Sequence, residues 1–254
     1  MSAITLARYP VRLDGETADV GDAEELVVLL DVLNGRCDRE VLSQLSPHLP
    51  QIIRKPSDLP LLMRGLGRDD QIFLVEAMGD FLADALQTAR HLRELLATIA
   101  EPQVRLSVIE TLGGPGLRKL IVTARDLSGA LEWTYAHRSR RLLELLGADY
   151  LRRLIRHGDD LALALNALAD DAQRALFDSI GFARVAELTR NARDLALLLR
   201  ALPPAISATL LDQFDRRQLV EIIGDRRAWL YLYNRIRPDE AVQLLAKLGA
   251  DNAL

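Results

Sequence analysis

The residues of this chain whose types suit chemistry are four histidines, one cysteine, a short glycine cluster, and a set of regularly spaced arginines with aromatic neighbours. His48, His91, His137 and His157 lack the spacing of zinc ligands, which places two of them on one helical turn with a glutamate between. Cys37 and His48 have the types of a nucleophile and its base, but no flanking signature accompanies them and their surroundings follow an apolar pattern. Gly113-Gly114-Pro115-Gly116 lacks the Lys-Ser/Thr ending of a phosphate loop and reads as a helix terminus with extra turn residues. The acids are dispersed rather than converging, as an acid–base pair requires. The expectation is a chain that is not an enzyme and uses no metal or cofactor.

Two features suit binding instead. Arg90, Arg125, Arg193 and Arg227 recur in register, interrupted by Ser57 and Asp159. One reading is a ladder in which each arginine pairs with a neighbouring aspartate, worth only about 0 to 1 kcal/mol per surface pair. The other is an anion-binding edge. The second feature is local: Trp133, Tyr135 and His137 stand where related segments carry aliphatic residues, a turn or proline, and Arg118 to His157 holds nine Arg and Lys against four Asp and Glu. Aromatics and arginines anchor protein interfaces and also stack on bases. The partner-binding residues expected from this segment are Arg125, Trp133, Tyr135, His137, Arg140, Tyr150, Arg153, Arg156 and His157. Trp133 suits either core packing or binding, whereas Trp229, Tyr231 and Tyr233 read as a cover for the end of the fold.

The elements that position these residues repeat. Gly79, Gly113, Gly147, Gly181 and Gly249 fall in one column of period 34, with Asp215 standing in the same column. The residue before the column is always apolar (Met78, Leu112, Leu146, Ile180, Phe214, Leu248), as are those four and five before the column, from Val75 and Leu74 to Leu245 and Leu244. That spacing predicts the inward stripe of a helix ended by a left-handed glycine cap. A second column, Leu59, Leu92, Leu127, Leu161, Leu195 and Trp229, heads a shorter amphipathic helix. Asp58, Asp126, Asp160 and Asp194 precede it and read as N-caps. Pro102, Pro204 and Pro238 share a column suited to the first turn of the longer helix. A third, short apolar segment follows the glycine, as in Leu151, Leu154 and Ile155.

The pattern predicts an all-α fold, an α-solenoid of about seven helical repeats, each with two helices plus a short third, because such units bury their stripes only by stacking. Residues 19–254 form this repeat domain. Residues 1–18, with Ile4, Leu6, Val11 and Leu13 around the Asp14-Gly15 turn signal, form an N-terminal cap segment of extended or hairpin-like character.

The period is shared with tetratricopeptide, pentatricopeptide and transcription-activator-like repeats, but the tetratricopeptide Trp-Leu-Gly-Tyr and Ala-Phe-Pro positions are missing. Leu154-Ile155, Asp160-Leu161, Leu176-Phe177 and Ile180-Gly181, with a variant at Leu188, Asp194-Leu195, Pro203-Pro204 and Leu210-Leu211, resemble the leucine-rich helical repeats of bacterial injected effectors. The resemblance spans residues 22–249. It implies a scaffold rather than a reaction, and carries no functional residue with it.

Composition narrows the function further. The formal charge of −4 divides into 11 basic against 18 acidic residues over 1–114 and 21 against 18 over 115–254. That polarity is mild for a nucleic-acid binder. Arginine outnumbers lysine 29 to 3, which a GC-rich coding sequence explains without a ligand. No apolar run approaches the roughly 18 to 20 residues of a membrane span, and Met1 to Gly15 lacks the apolar core of a secretory signal. A single cysteine suits a reducing cytoplasm; delivery into a host cell by a dedicated secretion apparatus is the alternative. The function expected is noncatalytic binding of a protein partner through the repeat surface, with nucleic-acid binding the alternative and an uncharacterised enzyme the least favoured.

Overall fold

The computed structural model describes residues 7–134 and 136–249, without the side chains of residues 136 and 137. The chain is predominantly helical and divides into two compact units, Met1–Ile121 and Val122–Leu254. No helix among the described residues is long and apolar enough to cross a membrane.

The first unit opens with an antiparallel hairpin of β1 (Tyr9–Leu13) and β2 (Glu16–Val20), in register Tyr9 to Val20. Asp14 and Gly15 both have positive φ, 48° and 87°, as a tight primed turn requires. The hairpin seats on the helices that follow, α1 (Ala23–Leu33) and α2 (Asp38–Leu45). The Gln44 side-chain amide bonds both the N–H and the C=O of Arg12, each at 2.9 Å, and Tyr9 stacks on His48 with ring centres 4.3 Å apart. There follow α3 (Leu49–Ile52), α4 (Asp58–Gly65), α5 (Arg68–Met78), α6 (Phe81–Leu86), α7 (Ala89–Thr98) and α8 (Pro102–Leu120), the last kinked at Gly113. α1 packs on α4 and α4 on α7, while α2 packs on α5 and α5 on α8.

The second unit consists of α9 (Ala124–Leu131), α10 (Ala136–Leu146), α11 (Ala148–Leu154), α12 (Gly158–Asn166), α13 (Asp170–Ile180), α14 (Phe182–Leu188), α15 (Ala192–Ala201), α16 (Pro204–Asp212), α17 (Arg216–Ile223), α18 (Arg226–Tyr233) and α19 (Pro238–Leu248). Its helices start at strict intervals of 34: Ala124, Gly158, Ala192, Arg226; Ala136, Asp170, Pro204, Pro238; and Ala148, Phe182, Arg216. α9, α12, α15 and α18 pack in succession, α10 packs on α13 and α16 on α19, and α11, α14 and α17 each meet the next longer helix. The approach of α12 to α15 is so close that a Cβ on Gly158 would stand 2.9 Å from the Asp194 Cβ. The apolar column Met78, Leu112, Leu146, Ile180, Phe214 and Leu248 is buried in every copy. Each such side chain contributes about 1.5 to 3 kcal/mol relative to exposure.

Two local expectations are corrected. The column glycines are not left-handed helical caps: Gly147, Gly181 and Gly249 combine φ of 79°, 90° and 84° with extended ψ of 151°, 133° and 130°. That region is essentially closed to residues with a Cβ. Asp215 in the same column therefore takes φ −79° and ψ 169° and caps α17 with its side chain, which accepts the Gln218 N–H. The aspartates of the shorter helices are not N-caps either. Asp126 and Asp160 lie at the third helical position, and each carboxylate reaches back to two linker N–H groups, on Val122 and Thr123 at 3.2 and 2.9 Å, and on Arg156 and His157 at 3.0 and 3.1 Å. Asp58 does the same for Arg54 and Lys55. Gly113, non-helical at φ 55° and ψ −174°, separates two helical stretches within Pro102–Leu120, in keeping with its place in the glycine column.

A polar column, buried except at the half-buried Gln71, was not anticipated. Gln71, Arg105, Ser139 and Gln173, spaced by 34 on successive longer helices, each donate to carbonyls of the preceding linker region: Met63 and Leu66, Ile99, Thr134, and Leu165 with Leu168. At the next position Ser207 bonds its own helix instead, and Arg237 supplies the linker contact by donating to Leu202 O at 2.8 Å and to Ser207 Oγ.

One buried acid makes stability pH-dependent. Asp38, at the start of α2, is 4% exposed with an Oδ1 that has no hydrogen-bond partner among the described residues. Burial raises its pKa first, then the nearby charges of Asp70 and Asp31, against a bond from Gly35 that lowers it. The folded chain thus holds this proton to higher pH than the unfolded chain, so stability falls as pH rises from the ordinary carboxylate value of about 3.9 through the raised one, and stays lower above it. Asp38→Asn is expected to raise the melting temperature at pH 7 and to lose that advantage as pH falls below about 4, read by thermal unfolding of both proteins across the acid range.

Candidate functional site

The linkers that precede α9 and α12 are fixed from within. Thr123 Oγ1 accepts the Asp126 N–H at 3.2 Å while the Asp126 carboxylate holds the Val122 and Thr123 N–H groups, a reciprocal capping box. Asp160 closes the second linker in the same way. Between them and α11 lies an open groove of about 430 Å³ lined by Val122, Thr123, Ala124, Tyr150, Arg153, Leu154, Arg156 and Asp160.

The chemistry of the groove is cationic and apolar. Arg153 lies 5.6 Å from the Tyr150 ring centre, and its Nε donates to Asp149 O at 3.3 Å. Arg156 Nε donates to Arg153 O at 3.0 Å. Both stems are held by backbone carbonyls, and among the described residues neither guanidinium forms an ion pair. Arg152, one residue away, is used internally, with Nε on Ile180 O at 3.1 Å and an ion pair to Asp149. Val122 is 63% exposed at the groove wall. The Asp160 carboxylate, the lining acid, is half-buried and already accepts two backbone N–H bonds.

The structure thus brings Tyr150, Arg153 and Arg156 together. Arg125 is exposed at the second residue of α9, and His157 is exposed immediately before α12, with its N–H on Asp160. Arg140 lies elsewhere, in a depression with Asp171, Arg174 and Asp178, and pairs with Glu144 at 3.0 Å. Trp133 is half-buried in the turn after α9. Tyr135 lies outside the described residues, as does the side chain of His137. The groove residues Val122, Thr123, Leu154 and Asp160 escape sequence reasoning, since their only signal is a β-branched exposed residue in a linker column otherwise held by Arg156 and Arg190.

The recurrent arginines do not pair with the aspartates beside them. Arg90 pairs with Glu94 at 2.8 Å on its own helix, and among the described residues Arg125, Arg193 and Arg227 make no ion pair. The described residues also contain no group of three or more His, Cys, Asp or Glu side chains placed to hold a metal ion. No protein-family model matches the chain, and no curated protein is significantly similar to it.

Proposed function

We propose that this chain is a noncatalytic macromolecular-interaction scaffold, an α-solenoid of about seven 34-residue repeats that holds a protein partner on its surface. The repeat reading is supported by helix starts that recur every 34 residues and by successive packing of like helices within each unit. The observation that carries the binding reading is the groove beside α11, where Arg153 and Arg156 stand, without ion pairs among the described residues, next to Tyr150 and the exposed Val122. Interfaces use such arginine and aromatic anchors. The resemblance to leucine-rich repeats of injected bacterial effectors extends the proposal to an effector-type module, acting in the cytoplasm or after delivery into a host cell.

The test is a charge reversal. Arg153→Glu with Arg156→Glu leaves the chain folded, since exposed substitutions change stability by about 0.5 kcal/mol or less. A photo-crosslinker at Val122 in the parent identifies the partner, and the double variant is expected to bind it at least about tenfold more weakly, while Arg140→Glu binds normally. Undiminished binding by the double variant would sink the groove assignment. A second reading, nucleic-acid binding, is favoured by the exposed arginines in register at Arg125, Arg193 and Arg227; an absence of mobility shift with single- and double-stranded probes at low salt eliminates it.

A further inference from the structure

The arginine column and the groove belong to one feature of the second unit. α9, α12, α15 and α18 pack in succession, so their N-terminal ends form an edge. Along that edge stand six exposed arginines: Arg125, Arg156, Arg190, Arg193, Arg226 and Arg227. Among the described residues none of them forms an ion pair. The helix N–H groups are not the binding groups, because Thr123, Asn191 and Asp225 accept them at 3.2, 2.9 and 2.8 Å. Asp126, Asp160 and Asp194 are likewise engaged, each accepting backbone N–H bonds from the linker behind it. These three carboxylates are half-buried, whereas the arginines beside them are exposed.

We infer that this edge binds an extended acidic peptide segment whose carboxylates recur at about every third residue. This rests on the protein-scaffold reading above and specifies the chemistry of its partner. Packed helices lie roughly 8 to 10 Å apart, and an extended chain advances about 3.3 Å per residue. One arginine rung per helix therefore matches one carboxylate per three residues. The guanidinium fork suits a carboxylate in bidentate geometry. The edge is also interrupted: Asp159 takes the arginine position on α12 and is exposed. A backbone charged at every unit, as in a nucleic acid, also carries charge between the rungs and meets repulsion there, whereas the peptide carries two uncharged residues between carboxylates, and Arg156, exposed in the linker before α12, supplies the rung of that helix. Val122 and Tyr150 at the groove end of the edge supply apolar contact for an aliphatic side chain of the segment.

The probe is a fluorescein-labelled peptide with Glu at every third position and Ser or Leu between, titrated against the full chain by anisotropy. Binding is expected to weaken with salt. The variant Arg156→Ala, Arg190→Ala, Arg193→Ala is expected to bind about tenfold more weakly, while Arg174→Ala, whose arginine pairs with Asp178 at 3.1 Å away from this edge, serves as the unchanged control. Equal affinity for a peptide with the same residues but contiguous glutamates overturns the register; an unchanged triple variant overturns the edge; tighter binding of polyuridine than of the peptide overturns the choice of a peptide. A partner crosslinked at Val122 that binds the triple variant normally removes the edge and leaves the scaffold reading standing. Peptide binding that depends on the three arginines, with no protein crosslinked at Val122, supports the edge and removes the groove assignment.

Discussion

Replacing Gln173 by leucine is expected to destabilise the second unit by about 3 kcal/mol, although the substitution is close in size and adds apolar surface. Gln173 is 5% exposed on α13, and its Nε2 contacts the carbonyls of Leu165, Leu168 and Ala201 at 3.0, 3.3 and 3.0 Å. Those carbonyls belong to the ends of α12 and α15 and to the linker after α12, so one side chain ties two neighbouring helix ends to a third helix. Leucine removes the donor from the Leu168 and Ala201 carbonyls, at about 1 to 3 kcal/mol for each group left unsatisfied, while the Leu165 carbonyl still accepts the Leu168 N–H and the Gln173 Oε1, buried without a partner among the described residues, is lost with the side chain. Its added burial offsets part of that loss. Denaturant unfolding gives the free energy, and hydrogen exchange at the C-terminal turn of α12 gives the location. A change below about 0.5 kcal/mol would show that the linkers are held by apolar packing alone.

The second large effect is expected at Gly181, where φ is +90° and ψ 133°. A Cβ there meets nothing within 4 Å, so sterics with neighbours do not contribute. The conformation itself excludes a side chain, and Gly181→Ala should cost about 1 to 3 kcal/mol even after the entropy it removes from the unfolded chain. Gly65→Ala is the contrast: it lies in the last turn of α4 with no positive φ, a Cβ there meets only Asp31 Oδ1 at 3.6 Å, and the variant is expected to be neutral or slightly more stable. If both substitutions act alike in thermal unfolding, the column glycines are not held by their backbone geometry.

Much of the helical pattern is legible in the residues. The apolar stripes and the prolines that open α8, α16 and α19 are local signals, because burial on one face and a missing N–H at the first turn are decided within a few residues. The glycine column shows that a positive φ is needed but not which ψ, since ψ depends on where α11 and α14 must lie for their packing against α13 and α16. The aspartates were visible as capping residues, yet whether a carboxylate caps forward or reaches back is set by the linker behind it, and here it reaches back.

The candidate site divides along the same line. Arg153, Arg156 and Tyr150 stand out in the sequence as a basic and aromatic segment, and the structure places them on one groove. That Arg140 pairs with Glu144 while Arg153 has no ion pair among the described residues follows from which side chains share a face, and residue type does not reveal it. The same holds for Trp229: its column mates Leu161 and Leu195 are fully buried by neighbours, whereas Trp229 is half-buried with Leu230 and Tyr233 about it at 48% and 51% exposure. The amino-acid sequence by itself determined the helices, their period and the inward stripe, because these are properties of one segment and its contact with water. Only the tertiary structure decided which arginines stand without an ion pair among the described residues, which polar side chains reach the linkers, and which apolar residues stay uncovered, because each depends on what the neighbouring helix brings to the same place.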